Sequence, residues 1–453
     1  MRESPVDDAQ RILRTEFWNG YGTVMPGFVD GHTHIEAFAE SMDFQSSLDP
    51  AFKTIEQNLA ALRAAVSTTP PARWVIGRAL ASLPRQVAEQ RMPNRAEMGS
   101  VSTMRPVALF AGPHVASLNT AAFKALKAWT YEEERALRWR DGSPLHGSFI
   151  HRDGNGAPTG VATELQELIW QLQPYTPGER EASCSHHAKQ EYAARGITSL
   201  TLISGAIERT DAIASAYRRG LMPLRARRFY LTPQAIGFDD VKRSGVTSGD
   251  GDDMLRFGGI KIFADGAGHD GMGSRIDDVK WTLQSLSALL TRCAESGYPT
   301  IIHTITPGAL KLVLAAHREA QRRSPVRLRH RLDHLPFLQD AEDVRLIKEL
   351  GLGVGLTRAS RGDARPHPAP DYRALLDAGV KVQLVSDSAG SFSNFSPLEG
   401  IASMVAPVSE GGVLPSVGKL GDFVVLSADP WSLQGGALFD IRIETVIVGG
   451  QPV

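Results

Sequence analysis

The chain has 453 residues, more than one compact domain usually contains but within the range of an α/β barrel that carries additional segments. Its 49 basic residues nearly balance 50 acidic ones, which argues against nucleic acid or a membrane surface as a partner. Two cysteines are too few for a disulfide framework, and the sequence shows neither the apolar core of a signal peptide nor an apolar run near the roughly 18 residues of a membrane helix. We therefore expect a soluble, cytoplasmic protein.

Short apolar, β-branched runs alternate with longer segments of helical periodicity, which indicates βα units around a parallel sheet. The strand candidates are, in chain order, TVMPGFVDGH, RPVALFAG, GITSLTLIS, RARRFYLT, RFGGIKIFAD, YPTIIHTI, RHRLDHL, LGVGLT and KVQLVSDS. Between the later strands, segments such as SLSALLTRCAESG and GALKLVLAAHREAQRR repeat apolar residues at helical spacing. This order predicts an α/β fold of the TIM-type (β/α)8 barrel class.

The two ends of the chain and one long internal region do not follow this alternation. Residues from about 50 to 170 are rich in Arg, Pro and polar turns, and we interpret them as an insertion after the first strand that shapes a substrate pocket. The segments GKLGDFVVLSADP and IRIETVIVGGQPV are β-rich with no helix between them. We predict a barrel over residues 25–404 and a small, reduced β-sandwich built from residues 1–24 and 405–453, whose edge a homodimer could cover.

Two short histidine motifs call for opposite interpretations. His32 and His34 follow the first strand candidate, and side chains two residues apart in an extended strand point to the same side, so both imidazoles can reach one metal ion. An isolated His-x-His is more often a pair of ordinary loop residues, so other strands must decide. Cys184, His186 and His187 in CSHH lie in a predicted helix, and we interpret them as its mixed surface rather than as a metal site.

The ends of the later strands carry further metal-ligand side chains. Lys261, His303, His334 and Asp387 stand there, at the face where barrel enzymes gather their active sites. Each has an ordinary structural explanation by itself, but their joint occurrence with the first histidine pair favours a site. Imidazole and carboxylate ligands suit zinc, manganese, iron or cobalt, and the absence of cysteine among them favours a catalytic metal over a structural one.

Lys261 is the exception in this set, because divalent cations repel an ammonium group. It fits as a ligand only if its amine has reacted with carbon dioxide to give an anionic carbamate. The carbamate, Asp387 and a bridging hydroxide would offset most of the positive charge of two divalent ions. We therefore predict two metal ions, with zinc as the expected metal, bridged by carboxylated Lys261 and hydroxide.

The segments PGFVDGHTH, GGIKIFADGA, IIH, RLDH, SDS and GKLGDFVVLSADP together resemble the amidohydrolase superfamily, specifically its YtcJ-like branch, which includes N-substituted formamide deformylases. The resemblance covers nearly the whole chain, including RPVALFAGPHVASLNTAAF and GAPTGVATEL in the insertion. It implies hydrolysis of a non-peptide C–N bond, in an amide, N-formyl or carbamate group of a small molecule. Metal-bound hydroxide would attack, and Asp387 would act as general base and then as general acid.

The resemblance also suggests residues that contact the substrate. His114 matches a histidine that faces the substrate and would donate a hydrogen bond to the developing oxyanion. Arg275, in GMGSR, would contact a polar substrate group, although a role in fixing its loop is equally open. The loop ADGAGHDGMGSR is longer than is usual for the family and adds His269 near the expected site.

Other functions remain open at this point. The same metal-activated hydroxide can attack an ester or a lactone, and a deaminase acting on a nucleobase-type amidine would use one metal on the same barrel. A different class is a catalytically silent binding protein that keeps the barrel. Metal content and a leaving-group assay distinguish these possibilities.

Overall fold

The computed structural model describes residues 23–139, 141–145, 149–205, 207–266, 279–338, 340–357, 372–388, 396–398, 421–430, 433, 438 and 440–453. The strands among these residues are, in chain order, β1 (Thr23–Pro26), β2 (Phe28–Thr33), β3 (Ser46–Ser47), β4 (Val75–Ala79), β5 (Val107–Ala111), β6 (Val115–Leu118), β7 (Phe149–Arg152), β8 (Pro158–Thr163), β9 (Ile197–Ser204), β10 (Arg225–Leu231), β11 (Leu255–Phe263), β12 (Thr300–Thr304), β13 (Arg331–His334), β14 (Gly353–Thr357), β15 (Val382–Val385), β16 (Phe423–Leu426), β17 (Ile443–Val448) and β18 (Gln451–Pro452).

The α-helices are, in chain order, α1 (Ile35–Phe44), α2 (Ile55–Thr68), α3 (Leu83–Gln86), α4 (Arg95–Gly99), α5 (Thr120–Ala125), α6 (Tyr131–Ala136), α7 (Gln166–Gln171), α8 (Pro177–His187), α9 (Ile207–Arg218), α10 (Phe238–Arg243), α11 (Leu283–Glu295), α12 (Pro307–Arg323), α13 (Ala341–Glu349) and α14 (Tyr372–Asp377). A π-helical turn over Ala188–Tyr192 and a 3-10 turn over Ala193–Arg195 follow α8. No helix in the described part of the chain combines the length and the apolar character needed to cross a membrane.

Eight parallel strands form a ring in the order β2, β9, β10, β11, β12, β13, β14, β15. The ring closes between β15 and β2, where the Asp387 N–H donates to the His32 carbonyl at 2.9 Å and the His34 N–H donates to the Ser388 carbonyl at 3.2 Å. Thr33 and Ser388 form a parallel bridge at the same place. The predicted (β/α)8 barrel is therefore confirmed, and its closing contacts involve three of the residues around the predicted metal site.

Helices cover the outside of the barrel, and the two helical segments read from the sequence form α11 and α12. Each helix begins at a threonine cap, since Thr282 accepts from the N–H of Ser285 and Thr306 from that of Ala309. The residues that recur at helical spacing, including Leu290 on α11, face the core and are buried. Helical periodicity in the sequence therefore fixed which side of each helix packs on the barrel.

The chain between β2 and β9 builds a separate mixed sheet in the order β3, β4, β5, β6, β8, β7. Alternate residues of β5 enter different cores: Val107 and Leu109 pack with one hydrophobic cluster, and Ala108 and Phe110 with another. The strand candidate RPVALFAG thus belongs to this sheet and not to the barrel. Residues 113–114 and 164–170 of this region, several of which line a cavity at the carboxyl ends of the barrel strands, are called the inserted wall below.

The two ends of the described chain meet in an antiparallel sheet in the order β1, β16, β17, β18. The prediction that the termini form a small separate sheet is confirmed. Arg225 on β10 ties this sheet to the barrel, because its Nε donates to Asp422 Oδ2 at 2.7 Å. Much of the predicted sandwich, over residues 1–22 and 405–420, lies outside the described residues, and the predicted domain boundaries stay a prediction.

Part of the CSHH motif, which we predict to lie on a helix surface, is buried in the structure. Cys184 and His187 on α8 are buried, and His187 Nε2 lies 2.8 Å from Asp43 Oδ1, whereas His186 is exposed. The inward face packs against the helix α1 that follows the first barrel strand. The motif therefore links two helices.

Candidate metal centre and substrate cavity

The side chains of His32, His34, Lys261, His334 and Asp387 converge at the carboxyl ends of the barrel strands. His32 Nε2 lies 3.3 Å from His34 Nε2, 3.4 Å from Lys261 Nζ and 3.6 Å from Asp387 Oδ1. His34 Nε2 lies 3.4 Å from the same oxygen of Asp387. One ligand atom each of His32, His334 and Asp387 lies within 4.8 Å of the other two. This cluster, which we call the mouth cluster, has the ligand types and the spacing of a metal centre.

Two members of the mouth cluster adopt a backbone conformation that side chains rarely accept. His334 has φ 81° and Asp387 has φ 52°, both in the left-handed region. Such residues cost on the order of 1 to 3 kcal/mol each and persist where surrounding contacts hold them. The Asp387 N–H is held by the His32 carbonyl, and His334 Nδ1 lies 2.6 Å from Thr357 Oγ1. The strain indicates that the fold holds these two side chains toward the centre.

A carboxylate behind the cluster orients His32. Its Nδ1 lies 2.5 Å from Asp333 Oδ2, and Arg331 Nε donates to Asp333 Oδ1 at 2.6 Å. Because Asp333 accepts the Nδ1 proton, the Nε2 lone pair of His32 points to the cluster, as metal-binding histidines require. We did not assign Asp333 from the sequence, although it stands in the RLDH motif. A carboxylate next to a candidate ligand on a buried strand was the available signal.

Burial and neighbouring charges give three histidines and Asp387 the protonation states that bind cations. Burial lowers the pKa of His32, His303 and His334 well below the ordinary histidine value, with help from the positive groups around them, so these imidazoles are neutral. Burial alone would raise the pKa of Asp387, but hydrogen bonding with His34 and the nearby positive charges lower it below its ordinary value. Neutral imidazoles and an ionised carboxylate are the metal-binding forms of these groups.

The residues present fit divalent metal ions. His334 Nε2 is buried and has no hydrogen-bond partner among the described residues, so a bound cation would satisfy it. Lys261 is fully buried, and burial lowers its pKa to about 8 although Asp333 and Asp387 act in the opposite direction. A lowered pKa increases the share of the neutral amine, which is the form that reacts with carbon dioxide. The chemistry of the donors thus agrees with the predicted carbamate.

His303 lies beside the mouth cluster and has a different partner. Its Nε2 is 3.0 Å from the carbonyl oxygen of Gly266 and 3.8 Å from Asp265 Oδ1. Its ring centroid lies 4.6 Å from that of His334. The structure therefore brings His303 to the edge of the centre, with its Nε2 hydrogen-bonded to the backbone.

His114 reaches the same place from the inserted wall. Its ring centroid lies 5.2 Å from that of His303, and its Nδ1 lies 3.1 Å from the Glu164 carboxylate. Burial would lower the pKa of His114, but the charge and hydrogen bond of Glu164 raise it. In turn, His114 and Lys280 lower the pKa of Glu164 to about 2 against the effect of burial. Glu164 was missed in the sequence, where nothing distinguished it from other glutamates of the insertion.

A cavity opens from the mouth cluster between the barrel and the inserted wall, with about 550 Å³ of empty space that includes part of the open solvent at its entrance. Its lining residues are His32, His34, Glu36, Ala37, Pro113, His114, Gln166, Glu167, Trp170, Ile203, Gly205, Arg209, Phe263, His303 and Asp387. Of the residues predicted to contact the substrate, His114 therefore lines this cavity. His269 and Arg275 lie outside the described residues, so their roles stay predictions.

Comparison with known proteins identifies the family of this barrel. The family model described as "Amidohydrolase family" matches residues 22–414. The chain belongs to this family. The expected family and its enzyme class, an amidohydrolase, are confirmed.

Individual amidohydrolases are similar over most of their length. The chain is 26% identical over 422 residues to "N-substituted formamide deformylase" of Arthrobacter pascens, covering 86% of this chain and 74% of that protein. It is 25% identical over 502 residues to "Putative amidohydrolase YtcJ" of Bacillus subtilis (strain 168), covering 95% of this chain and 89% of that protein. An uncharacterized metal-dependent hydrolase from Pyrococcus horikoshii has the same fold, with a TM-score of 0.60, 17% identity and coverage of 88% of this chain and 78% of its own.

Proposed function

We propose that this amidohydrolase cleaves a non-peptide C–N bond of a small molecule, in an amide, N-formyl or carbamate group, and that it depends on two divalent metal ions. The mouth cluster carries this proposal, because imidazoles, a carboxylate and a buried lysine converge there beside an open cavity. Similarity to a protein named as a formamide deformylase makes N-formyl amines the first substrates to test.

The proposed ligands divide by chemistry. His32, His34, His303 and His334 would bind through imidazole nitrogens, Asp387 through its carboxylate, and Lys261 as a bridging carbamate. When bound, the ions would lower the pKa of a coordinated water and polarise the scissile carbonyl group. Asp333 would keep His32 in the orientation that binding needs.

Two residues would act directly on the reacting atoms. Asp387, as an ionised carboxylate at the cavity, would accept the proton of the attacking water and deliver it to the leaving nitrogen. His114 would donate from Nε2 to the oxyanion that develops on the substrate carbonyl, because Glu164 engages its Nδ1. Glu164 thereby positions the donor and keeps it protonated.

The first experiment measures metals per chain by elemental analysis, on protein purified without chelator and with bicarbonate present. We expect about two metals per chain in the unchanged protein and a sharp fall in Lys261→Ala. Lys381→Ala, at an exposed lysine, is the matched control and should keep the metal content. One metal that is indifferent to Lys261→Ala would contradict the bridged pair and favour deaminase chemistry, and no metal would favour a binding protein.

A second measurement identifies the bond that is cleaved. The metal-loaded protein is given an N-formyl amine and the formyl ester of the matching alcohol, so that only the leaving atom differs. We expect the N-formyl amine to be hydrolysed with release of formate. Hydrolysis of the ester alone would overturn the C–N assignment.

A further inference from the structure

In the part of the chain that the structure describes, the inserted wall holds buried polar atoms that lack hydrogen-bond partners. Within the described part of the chain, Gln166 Oε1, Glu167 Oε2 and Trp170 Nε1 have none, although these side chains are only 5%, 4% and 6% exposed. All three residues line the cavity that opens from the mouth cluster. Buried polar groups are normally hydrogen-bonded, because an unmet donor or acceptor costs about 1 to 3 kcal/mol. Unmet groups in a substrate cavity therefore indicate a ligand.

Contacts with neighbouring residues show whether each of these atoms would accept or donate a hydrogen bond to a ligand. The Gln166 amide donates from Nε2 toward Glu164 Oε2 at 3.5 Å, which leaves its Oε1 as an acceptor. The Glu167 carboxylate faces Gly205, where an added Cβ would lie 3.2 Å from Oε2 and 3.4 Å from Oε1. Because Gly205 has no side chain, the space beside the carboxylate stays open. The wall thus presents two acceptor oxygens and one indole N–H donor.

The Arg209 guanidinium is bound to Glu40 through two of its nitrogens, and its Nη1 lies 3.6 Å from where a Cβ on Gly205 would stand. Arg209 Nε donates to Glu40 Oε2 at 2.9 Å, its Nη2 donates to the same oxygen, and its guanidinium carbon lies 4.4 Å from the centre of the Trp170 ring. Burial raises the pKa of Glu36 and of Glu167 to about 7, although Arg209 acts in the opposite direction. Hydrogen bonds from a ligand would compensate for the solvation that the Glu167 carboxylate has lost.

We propose that the inserted wall forms a subsite for a nitrogen group with at least two N–H donors, carried by the substrate away from its scissile bond, and that Gln166 Oε1 and Glu167 Oε2 accept from this group. A terminal carboxamide would also accept from Trp170 Nε1 through its oxygen, whereas a terminal amino group would meet the two acceptor oxygens only. The inference rests on the proposed function, and it narrows the substrates from N-acyl amines in general to those with a second nitrogen group.

Substrates of equal length test the subsite. N-formyl amines with the same carbon chain would end in a methyl, hydroxyl, carboxamide or ammonium group, and kcat/KM is measured for each. We expect the substrates with N–H donors to exceed the methyl-ended one by about tenfold or more, which corresponds to about 1.4 kcal/mol. The carboxamide and ammonium arms decide between a neutral and a cationic group. Equal kcat/KM values across the series would overturn the proposal.

Two variants tie the preference to this wall. Glu167→Gln should lower the ratio of ammonium-ended to methyl-ended kcat/KM at least fivefold. Gly205→Ala should lower the ratio for both nitrogen-ended substrates, because its methyl group would fill the space beside the carboxylate. Glu295→Gln, at an exposed glutamate, is the matched control and should leave the ratios unchanged. Ratios that survive both wall variants would refute the subsite.

A binding measurement separates this inference from the proposed function. Calorimetry on the metal-loaded protein compares 1,4-diaminobutane and 4-aminobutanamide with butylamine, with which each of them shares one amino group. If no N-formyl amine, amide or carbamate is hydrolysed, the proposed function fails, while tighter binding of the diamine or the amino amide that is lost in Gly205→Ala would still support the subsite. Equal binding of all three amines would reject the subsite whether or not hydrolysis occurs.

Discussion

The mouth cluster and the inserted wall differ in how their polar atoms are satisfied. At the mouth, residues outside the cluster orient the proposed ligands through side-chain hydrogen bonds. Asp333 contacts His32, and Thr357 contacts His334. Among the described residues, each region also keeps a buried atom without a partner, His334 Nε2 at the mouth and Glu167 Oε2 in the wall. The imidazole nitrogen at the mouth suits a metal ion, whereas the carboxylate oxygen in the wall suits a donor group of a substrate. On the two proposals above, the mouth would hold the metal ions, and the inserted wall would supply His114 to the reaction and select the substrate.

Asp387→Asn tests the chemistry side of this comparison and should have the largest effect. The amide cannot accept the proton of the attacking water, so kcat/KM for an N-formyl amine should fall on the order of 100-fold to 10,000-fold. Asp377→Asn, at an exposed position, is the matched control. A loss of less than about tenfold would remove Asp387 from the proposed proton transfer.

Asp333→Asn asks whether the contacts behind the mouth cluster matter for metal retention. The variant replaces a charged acceptor of the His32 Nδ1–H with a neutral amide, which orients the ring less strongly. Metal affinity should therefore fall about 10-fold to 100-fold. Competition with a chelator measures this affinity. The substrate ratios set by the inserted wall should stay unchanged in the same variant. Unchanged affinity would show that His32 needs no carboxylate behind it.

The mouth could be anticipated from the sequence because it depends on local rules. Near the ends of strand candidates stand His32, Lys261, His303 and His334, and parallel strands bring their carboxyl ends together. The partner of His32 was missed, because Asp333 stands in the same strand as a proposed ligand and sequence spacing does not show which ring it contacts.

The inserted wall could not be anticipated in the same way. The open space beside Glu167 depends on Gly205, which follows the barrel strand β9 and lies outside the inserted region. Only the packing of the inserted region against the barrel brings the two together. Whether Trp170 Nε1 has a partner depends on the same packing. Periodicity predicts which face of an element is buried, but it does not predict which buried atoms remain unmet.

Glu164→Gln tests the electrostatics of the inserted wall, with the smallest expected effect. The charge and hydrogen bond of Glu164 raise the pKa of His114 above the ordinary 6.5, and burial alone would lower it. The variant should therefore lower this pKa by about one pH unit or more, as followed by NMR titration of the His114 ring proton. The metal content should not change, because Glu164 belongs to the wall. An unchanged pKa would contradict the pairing.

The stability of the His114–Glu164 pair should depend on pH in a window set by both groups. Since the pKa of His114 is raised in the folded protein, its contribution is complete below the ordinary 6.5 and is lost as pH rises through the raised value. Since the pKa of Glu164 is lowered to about 2, its contribution is present above the ordinary 4.5 and is lost as pH falls toward about 2. Denaturant unfolding should therefore show the largest difference between Glu164→Gln and the unchanged protein between these ordinary values, and a smaller difference on either side. If the difference in the free energy of unfolding instead grows with rising pH, Glu164 stabilises the wall without a charged His114. The positive donor proposed for the oxyanion would then be absent at neutral pH.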